Sequence, residues 1–206
     1  ADGSVYGIDA KSGKRLWQVE TGAPCVSAVT IVGNTAYVGS GDHFFRAIDV
    51  IKGKVKWQSP GIKGYVETKP LVTHGKVIFG DWATTLYCLD AKTGARLWTW
   101  HPKKTDMHFS PAGVWPVEAR GRVFICDPDR ASTAIDLKTG KQIWRTYQSK
   151  VRESIGLSKD GKRIYLKTMN DSIVCYATTG DKPLELWATN CGFGYEHARV
   201  MLVEKD

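Results

Sequence analysis

The chain has 206 residues, 42% of them hydrophobic, with a formal net charge of +8. No apolar run approaches the roughly 20 residues a helix needs to cross a bilayer, which excludes a spanning helix. Five cysteines, with no CxxC and no adjacent pair, argue against a complete disulfide framework. Much of the positive charge sits in a recurrent turn, at Lys11, Lys14, Lys52, Lys92 and Lys138 among others. It reads as a solvated rim and not as a nucleic-acid surface, which would interleave basic residues with exposed aromatics along a groove.

In chain order, residues 1–22 supply one hairpin, VYGIDAKSGKRLW, the third and fourth strands (C and D) of a four-stranded unit. Four complete units are predicted at 23–62, 63–104, 105–149 and 150–190, and residues 191–206 add a first strand, ARVMLV. In each full unit, strands A and B flank a glycine turn (at Gly33, Gly75, Gly121 or Gly161). A connection then leads to strand C, and a C–D hairpin closes the unit. SAVTIV, ETKPLV and VWPVEA are the A strands of the first three units and SIGLS that of the fourth. The chain opens inside a repeat, so it is read as a piece of a longer polypeptide.

The C–D hairpin recurs as FRAIDVIKGKVKW, YCLDAKTGARLW and TAIDLKTGKQIW. In four copies an aspartate (Asp9, Asp49, Asp90, Asp136) precedes the closing tryptophan by eight residues, and a glycine (Gly13, Gly53, Gly94, Gly140) precedes it by four. Asp and Thr hydrogen-bond their own backbone in such turns, and glycine accepts positive φ. The fifth copy, IVCYATTGDKPLELW, is degenerate, with Tyr176 read in place of the aspartate and a turn about three residues longer. Successive tryptophans, Trp17, Trp57, Trp98, Trp144 and Trp187, lie 40, 41, 46 and 43 residues apart. That period, with several short strands per unit, is the signature of a propeller blade. The predicted fold is an all-β, single-domain β-propeller segment of four-stranded antiparallel blades. It has about four complete blades and a partial blade at each end. The five tryptophans are expected to be structural, packed in seams between blades.

The pattern DAxTGxxxW at this period, preceded by a glycine-bounded strand pair, resembles the PQQ-like β-propeller repeat. The resemblance covers nearly the whole chain and is weakest over 173–187. In that family the tryptophan belongs to a docking motif that joins blades. Three branches share the repeat: quinoprotein dehydrogenases with pyrroloquinoline quinone (PQQ) and calcium, periplasmic outer-membrane assembly lipoproteins without cofactor, and secreted proteins, some with hydrolase domains. The resemblance implies a periplasmic or extracellular location. The quinoproteins carry an adjacent cysteine pair that this chain lacks, and no acidic cluster offers the six to eight oxygens calcium takes. No cofactor is therefore expected, and no catalytic or metal site. The expected role is non-catalytic binding or scaffolding. Its partner would be another protein or another domain of the same polypeptide, without nucleic acid or a membrane span. The alternative is a fragment of a PQQ-dependent quinoprotein dehydrogenase, or a propeller appended to a hydrolase such as a phosphoesterase.

The D–A and B–C connections fall on one face of a blade, the face expected to carry a channel mouth. Alignment on the A–B turns puts Glu67, Glu153 and Glu196 just ahead of strand A, where Cys25 stands in the first unit. Asp42, Asp81, Asp127 and Asn170 then recur in the B–C connections. Such acids could bind a cation or a basic segment, or pair locally with Lys69, Arg152 and Arg199. The insert from His101 to His108 is too sparse in ligands for zinc and reads as a binding loop. Trp82, Trp100 and Trp115 stand outside the seam series and would mark a partner patch if exposed together. The candidate mouth thus comprises Glu67, Asp81, Trp82, His108, Trp115, Asp127, Glu153, Asn170 and Glu196. No Ser-His-Asp order, phosphate loop or HExxH appears. Open blade faces and strand edges at the two ends would permit self-association.

Overall fold

The structure, a computed structural model, describes residues 2–59, 61–103, 115–126 and 130–192, and only the backbone of residues 152–154. Strands β1 (Ser4–Ile8) and β2 (Arg15–Glu20) form a two-stranded sheet. Four sheets have four strands each. The first joins β3 (Thr30–Val32), β4 (Thr35–Gly39), β5 (Phe45–Asp49) and β6 (Lys54–Ser59). The second joins β7 (Leu71–Thr73), β8 (Lys76–Gly80), β9 (Leu86–Asp90) and β10 (Arg96–Trp100). The third joins β11 (Val117–Ala119), β12 (Arg122–Cys126), β13 (Ser132–Asp136) and β14 (Gln142–Thr146). The fourth joins β15 (Val151–Leu157), β16 (Arg163–Thr168), β17 (Ser172–Ala177) and β18 (Glu185–Asn190). Each is an antiparallel meander in chain order, the form of a propeller blade. Two compact units result, Ala1–His101 with β1–β10 and Pro102–Asp206 with β11–β18.

Burial follows strand position. The B and C strands β4, β5, β8 and β9 are buried over nearly their whole length, and the first full sheet is covered on both sides, with Ala36, Val38 and Ile48 packed with Val5 and Val19, and Tyr37, Phe45 and Ala47 packed with Val77 and Phe79. Stacked rings mark the contact between the first two full sheets. Phe45 and Phe79 lie 4.0 Å apart and nearly parallel, and Phe79 stacks on Tyr87 at 5.3 Å. The A strands of the first three full sheets are shorter than predicted, whereas that of the fourth, β15, is longer. Pro70 and Pro116 have no N–H to give a ladder, so β7 and β11 begin just after them. In β3 the contacts run sideways instead: Ser27 Oγ donates to the Thr68 carbonyl at 3.0 Å and Thr30 Oγ1 to that of Pro70 at 2.6 Å.

The repeated hairpin is explained by its turn. Asp9 Oδ1 accepts from the Ser12 backbone N–H at 2.7 Å and the Ser12 hydroxyl at 2.6 Å. Thr93 does the same for Asp90, and Thr139 for Asp136. Asp49 has no hydroxyl partner and takes the N–H of Lys52 at 2.9 Å. Hydrogen bonds from the Ser12, Thr93 and Thr139 side chains hold those three carboxyls below their ordinary range, and the Lys52 backbone N–H does so for Asp49. In all five hairpins the register slips just before the tryptophan: Ile8 pairs with Arg15 but Gly7 with Trp17, and likewise onward to Tyr176 with Glu185 but Cys175 with Trp187. The skipped residue is a β-bulge, which re-aims the side chain that follows it.

Within the first unit the indoles pack on the next hairpin. Trp17 lies against Gly53, where an added Cβ would fall 2.4 Å from the Trp17 side chain, and its Nε1–H donates to the Val50 carbonyl at 2.8 Å. Trp57 lies in the same way against Gly94, where a Cβ would fall 2.6 Å from the ring. Its Nε1–H donates to Ala91 at 3.1 Å. Trp98 and Trp144 are buried. Trp187 differs from the seam expectation: it is 43% exposed, and its ring neighbour is Tyr165 of its own sheet, at 5.9 Å.

The fifth hairpin also corrects the alignment. Ala177 pairs with Arg163 as Asp49 pairs with Thr35, Asp90 with Lys76 and Asp136 with Arg122, so Ala177 and not Tyr176 holds the aspartate position. Tyr176 occupies the fully buried position of Ile48 and Leu89. The turn is two residues longer, not three, since Ala177 N–H bonds Leu184 where Asp90 N–H bonds Ala95. The lengthened turn carries its glycine away: beside a Cβ at Gly180 the nearest group is its own Lys182 carbonyl. Trp144 Nε1, buried, has no hydrogen-bond partner among the described residues.

Cys88, Cys126 and Cys175 are buried in strands, and burial pushes the Cys88 thiol up to about 12, which suits a small core side chain.

Gly94 and Gly33 both have positive φ, but a Cβ at Gly33 would meet open space. Gly33→Ala is expected to cost about 1–2 kcal/mol for the backbone alone. Gly94→Ala should cost a further 1–3 kcal/mol or so from overpacking against Trp57. Chemical denaturation of the two variants checks the difference, and equal losses would rule out a tight indole contact.

Candidate protein-binding surface

At the end of the first unit that carries the D–A and B–C connections, two carboxylates act as ties between loops. Asp81 is fully buried. Its Oδ2 accepts from the Gly64 N–H at 2.8 Å and the Tyr87 hydroxyl at 3.0 Å. Its Oδ1 accepts from the Ala83 and Thr85 N–H groups at 3.0 and 2.9 Å. Asp81 is therefore not the open acid that was predicted, because four donors occupy it. Asp42 accepts from the Gly22 N–H at 3.0 Å and is ion-paired with Arg46, which also donates to it through Nη1 at 3.0 Å. Burial acts to raise the Asp42 carboxyl. The Arg46 guanidinium, the Ser40 hydroxyl and the Gly22 N–H outweigh it and hold the group well below the usual carboxylate range.

The two aspartates are not equivalent in the turn. Each B–C connection has a non-glycine residue with positive φ: His43, Thr84, Arg130 and Asp171. Asp42 and Asn170 immediately precede theirs, whereas Asp81 lies three residues ahead of Thr84. Two different positions thus deliver a carboxylate to a D–A backbone N–H. Asn170 is exposed.

Asp81 supports an exposed cluster. The Trp82 N–H donates to the Tyr65 carbonyl at 3.1 Å, and the Tyr65 and Trp82 rings lie 5.1 Å apart. Trp82 Nε1 donates to Glu67 Oε2 at 3.0 Å. Tyr65 and Trp82 are 39% and 36% exposed, and Glu67 is exposed. Along 61–70 exposure alternates strictly, with Ile62, Val66 and Thr68 inward and Lys63, Tyr65, Glu67 and Lys69 outward. The alternation sets the outward side chains two residues apart, although the backbone bends at 63–64 and 68 and forms no strand. In the preceding sheet the counterpart of Glu67 is Val26 and not Cys25, since Ser27 aligns with Thr68 when β3 and β7 are superposed on their ladders.

Of the other predicted mouth residues, Trp115 is half-buried in the second unit, and Glu153 lies inside β15 instead of ahead of it. His108, Asp127 and Glu196 lie outside the described residues, as does the Glu153 side chain. Trp100 is buried in β10, so it does not join Trp82. A cleft of about 610 Å³ at the other end of the first unit, lined by Tyr37, Lys56, His74 and Lys92 among others, contains none of the predicted residues. Tyr65 was missed; the alternation from Ile62 to Pro70 was the signal that would have found it.

A family model described as outer membrane protein assembly factor BamB matches residues 1–188. The chain belongs to this PQQ-like repeat family. The BamB of Burkholderia pseudomallei is 28% identical over 148 residues, covering 71% of this chain and 38% of the relative. The crystal structure of BamB from Moraxella catarrhalis matches with a TM-score of 0.72 at 19% identity, over 90% of this chain and 58% of that one. Quinohemoprotein alcohol dehydrogenase ADHIIG from Pseudomonas putida HK5 matches with a TM-score of 0.66 at 15% identity, over 91% of this chain and 39% of that one. At these identities the solved structures share the fold alone, that of a β-propeller. The chain spans less than two thirds of the length of each of these three proteins.

In this member of the BamB-type family the Asp42 tie has a measurable pH signature. Its carboxyl is depressed in the folded state, so its contribution is complete above the unfolded carboxylate pKa of about 4 and is lost as pH falls toward the folded value. Asp42→Asn is expected to lose about 3 kcal/mol at neutral pH, as when one partner of a buried pair is removed. Its stability should also decline less steeply than that of the parent below about pH 4. Urea melts across that range check both, and parallel pH curves would show that Asp42 carries no such linkage.

Proposed function

We propose that this chain is a non-catalytic protein-binding module of the cell envelope, periplasmic or extracellular, and that Tyr65, Glu67 and Trp82 form a contact surface for a protein partner. The observation that carries this reading is the exposed pair of stacked rings with an acid at its edge, held by the buried Asp81. Tyrosine and tryptophan dominate the energetics of protein interfaces, and two rings fixed in advance lose little side-chain entropy on binding. The ring faces and Glu67 suit a segment that presents a lysine or arginine beside an apolar side chain. Membership of a family described by an outer-membrane assembly factor supports a role in handling other envelope proteins.

Two measurements test this. A photo-crosslinking residue placed at Lys63, outward beside Tyr65, in cells is expected to capture an envelope protein. Capture should fall at least about tenfold when Tyr65→Ala is added, the size expected for an aromatic anchor. Yield no greater than from the same residue placed at Ser12 would overturn the surface. The quinoprotein alternative is tested separately by adding PQQ and calcium, which must raise the melting temperature if they bind the native chain. No rise is expected at saturating PQQ, and a clear one would replace the non-catalytic reading.

A further inference from the structure

The two ends of the first unit differ in charge. The end described above holds Asp42, Glu67 and Asp81. The opposite end carries the A–B and C–D turns, since Thr35 pairs with Asp49 and Lys76 with Asp90. Within the two full sheets it holds Lys52, Lys54, Lys76 and Lys92, and Lys56 reaches it by donating to Thr35 Oγ1 at 2.7 Å. The acids there, Asp49 and Asp90, are spent on their own turns, where each accepts from backbone N–H groups. Neither Lys56 nor Lys92 has an ion-pair partner among the described residues.

The cleft of about 610 Å³ opens among these lysines. Lys56, Lys92 and His74 line it, and Val32, Val72 and Ala91 give it apolar walls. The hydroxyl of Tyr37, also in the lining, is already bonded to the Ala91 carbonyl at 3.1 Å. At the same end Val32 is 50% exposed and Ile51, in the C–D turn, is 69% exposed. Cations thus stand next to exposed apolar side chains. The type of cation narrows the ligand. No arginine is among the described residues that line the cleft. Protein interfaces favour arginine, whose planar fork fits carboxylates, and are depleted in lysine. Lysine is a mobile point charge that binds phosphate without a fixed geometry.

These observations point to a lipid: we propose that the turn end of the first unit rests on an anionic phospholipid surface, with a headgroup phosphate in the cleft between Lys56 and Lys92. Val32, Val72 and Ile51 meet the apolar side of the lipid boundary. Each lysine near such a surface adds attraction that fades within about a Debye length. This inference is independent of the Tyr65–Trp82 surface, which lies at the other end of the unit.

The test is co-flotation of the 206-residue chain with vesicles at low and high salt. Binding is expected to vesicles of phosphatidylcholine with phosphatidylglycerol and not to phosphatidylcholine alone, and it should weaken with salt. Lys56→Gln combined with Lys92→Gln should weaken it about 25-fold, roughly fivefold for each lysine. Lys63→Gln combined with Lys69→Gln removes the same charge from the opposite end and should change it less than about twofold. Replacing exposed lysines costs little stability, and matching melting temperatures confirm that both variants fold. Inorganic phosphate and polyglutamate, at the same charge concentration as the lipid, should leave the vesicle binding in place. The proposal is overturned by a chain that ignores phosphatidylglycerol, or by equal losses in the two double variants. Displacement by inorganic phosphate would make the cleft a site for soluble phosphate, and displacement by polyglutamate a site for an acidic protein segment; either result also overturns it.

Discussion

The contact on which this molecule depends is an indole laid on a glycine turn. The first full sheet, whose B and C strands are buried on both faces, cannot stand alone, because burial requires a neighbour on each side. The tryptophan at the start of each outer strand's straight run supplies part of that cover. It works only where the neighbouring turn has no Cβ: at Gly53 and Gly94 the ring sits where a side chain would begin. The same turn needs positive φ, so glycine is required twice over. The indole N–H then takes the carbonyl left over by the aspartate-capped turn. One buried tryptophan is worth about 3–5 kcal/mol on truncation, and a whole domain is stable by about 5–15 kcal/mol. A few such contacts therefore decide whether the stack of sheets exists.

The opposite ends of the strands solve a different problem. Loops between sheets leave backbone N–H groups without a ladder, and buried ones must find acceptors. Asp81 provides one for the buried Gly64 N–H, and Asp42, from a different turn position, ties down the exposed Gly22 N–H. What the chain repeats here is the chemical task and not the residue number. Asp42 is ion-paired with Arg46, while Asp81 accepts only from neutral donors, so the same kind of tie is built with and without a charged partner.

The strand order, the hairpins and the blade period were legible because each follows from local chemistry repeated at fixed spacing: an aspartate that caps its own turn, a glycine with positive φ, an aromatic run. The site was legible only in part. Glu67 and Trp82 were picked out, but Asp81 was read as an open acid because sequence gives residue type and not burial. Tyr65 escaped because its stretch makes no ladder, although its alternation is that of a strand. In the fifth hairpin the counting was anchored on Tyr176, since an aromatic polar residue looks a better substitute for aspartate than Ala177 does. The ladder with β16 decides otherwise, and no sequence rule supplies a register once the turn length has changed.

Departure from the repeat is where this chain differs from a stack of identical sheets. Where a hairpin's Asp, Gly and Trp close a turn and a seam, as Asp49, Gly53 and Trp57 do, they have little left to offer a partner. The counterparts of Tyr65, Glu67 and Trp82 in the preceding sheet are Pro24, Val26 and Gly41, which cannot form a stacked, acid-edged surface. Likewise the turn that replaces aspartate by Ala177 leaves Trp144 Nε1 without an acceptor among the described residues, and a buried indole N–H without a partner costs about 1–3 kcal/mol. That sheet is held less tightly on its indole side, while Arg122 reaches its displaced turn at the Gly180 carbonyl and Asp181. A repeat protein gains rigidity from what recurs, so residues that break the pattern without being needed for packing are the ones free to recognise another molecule.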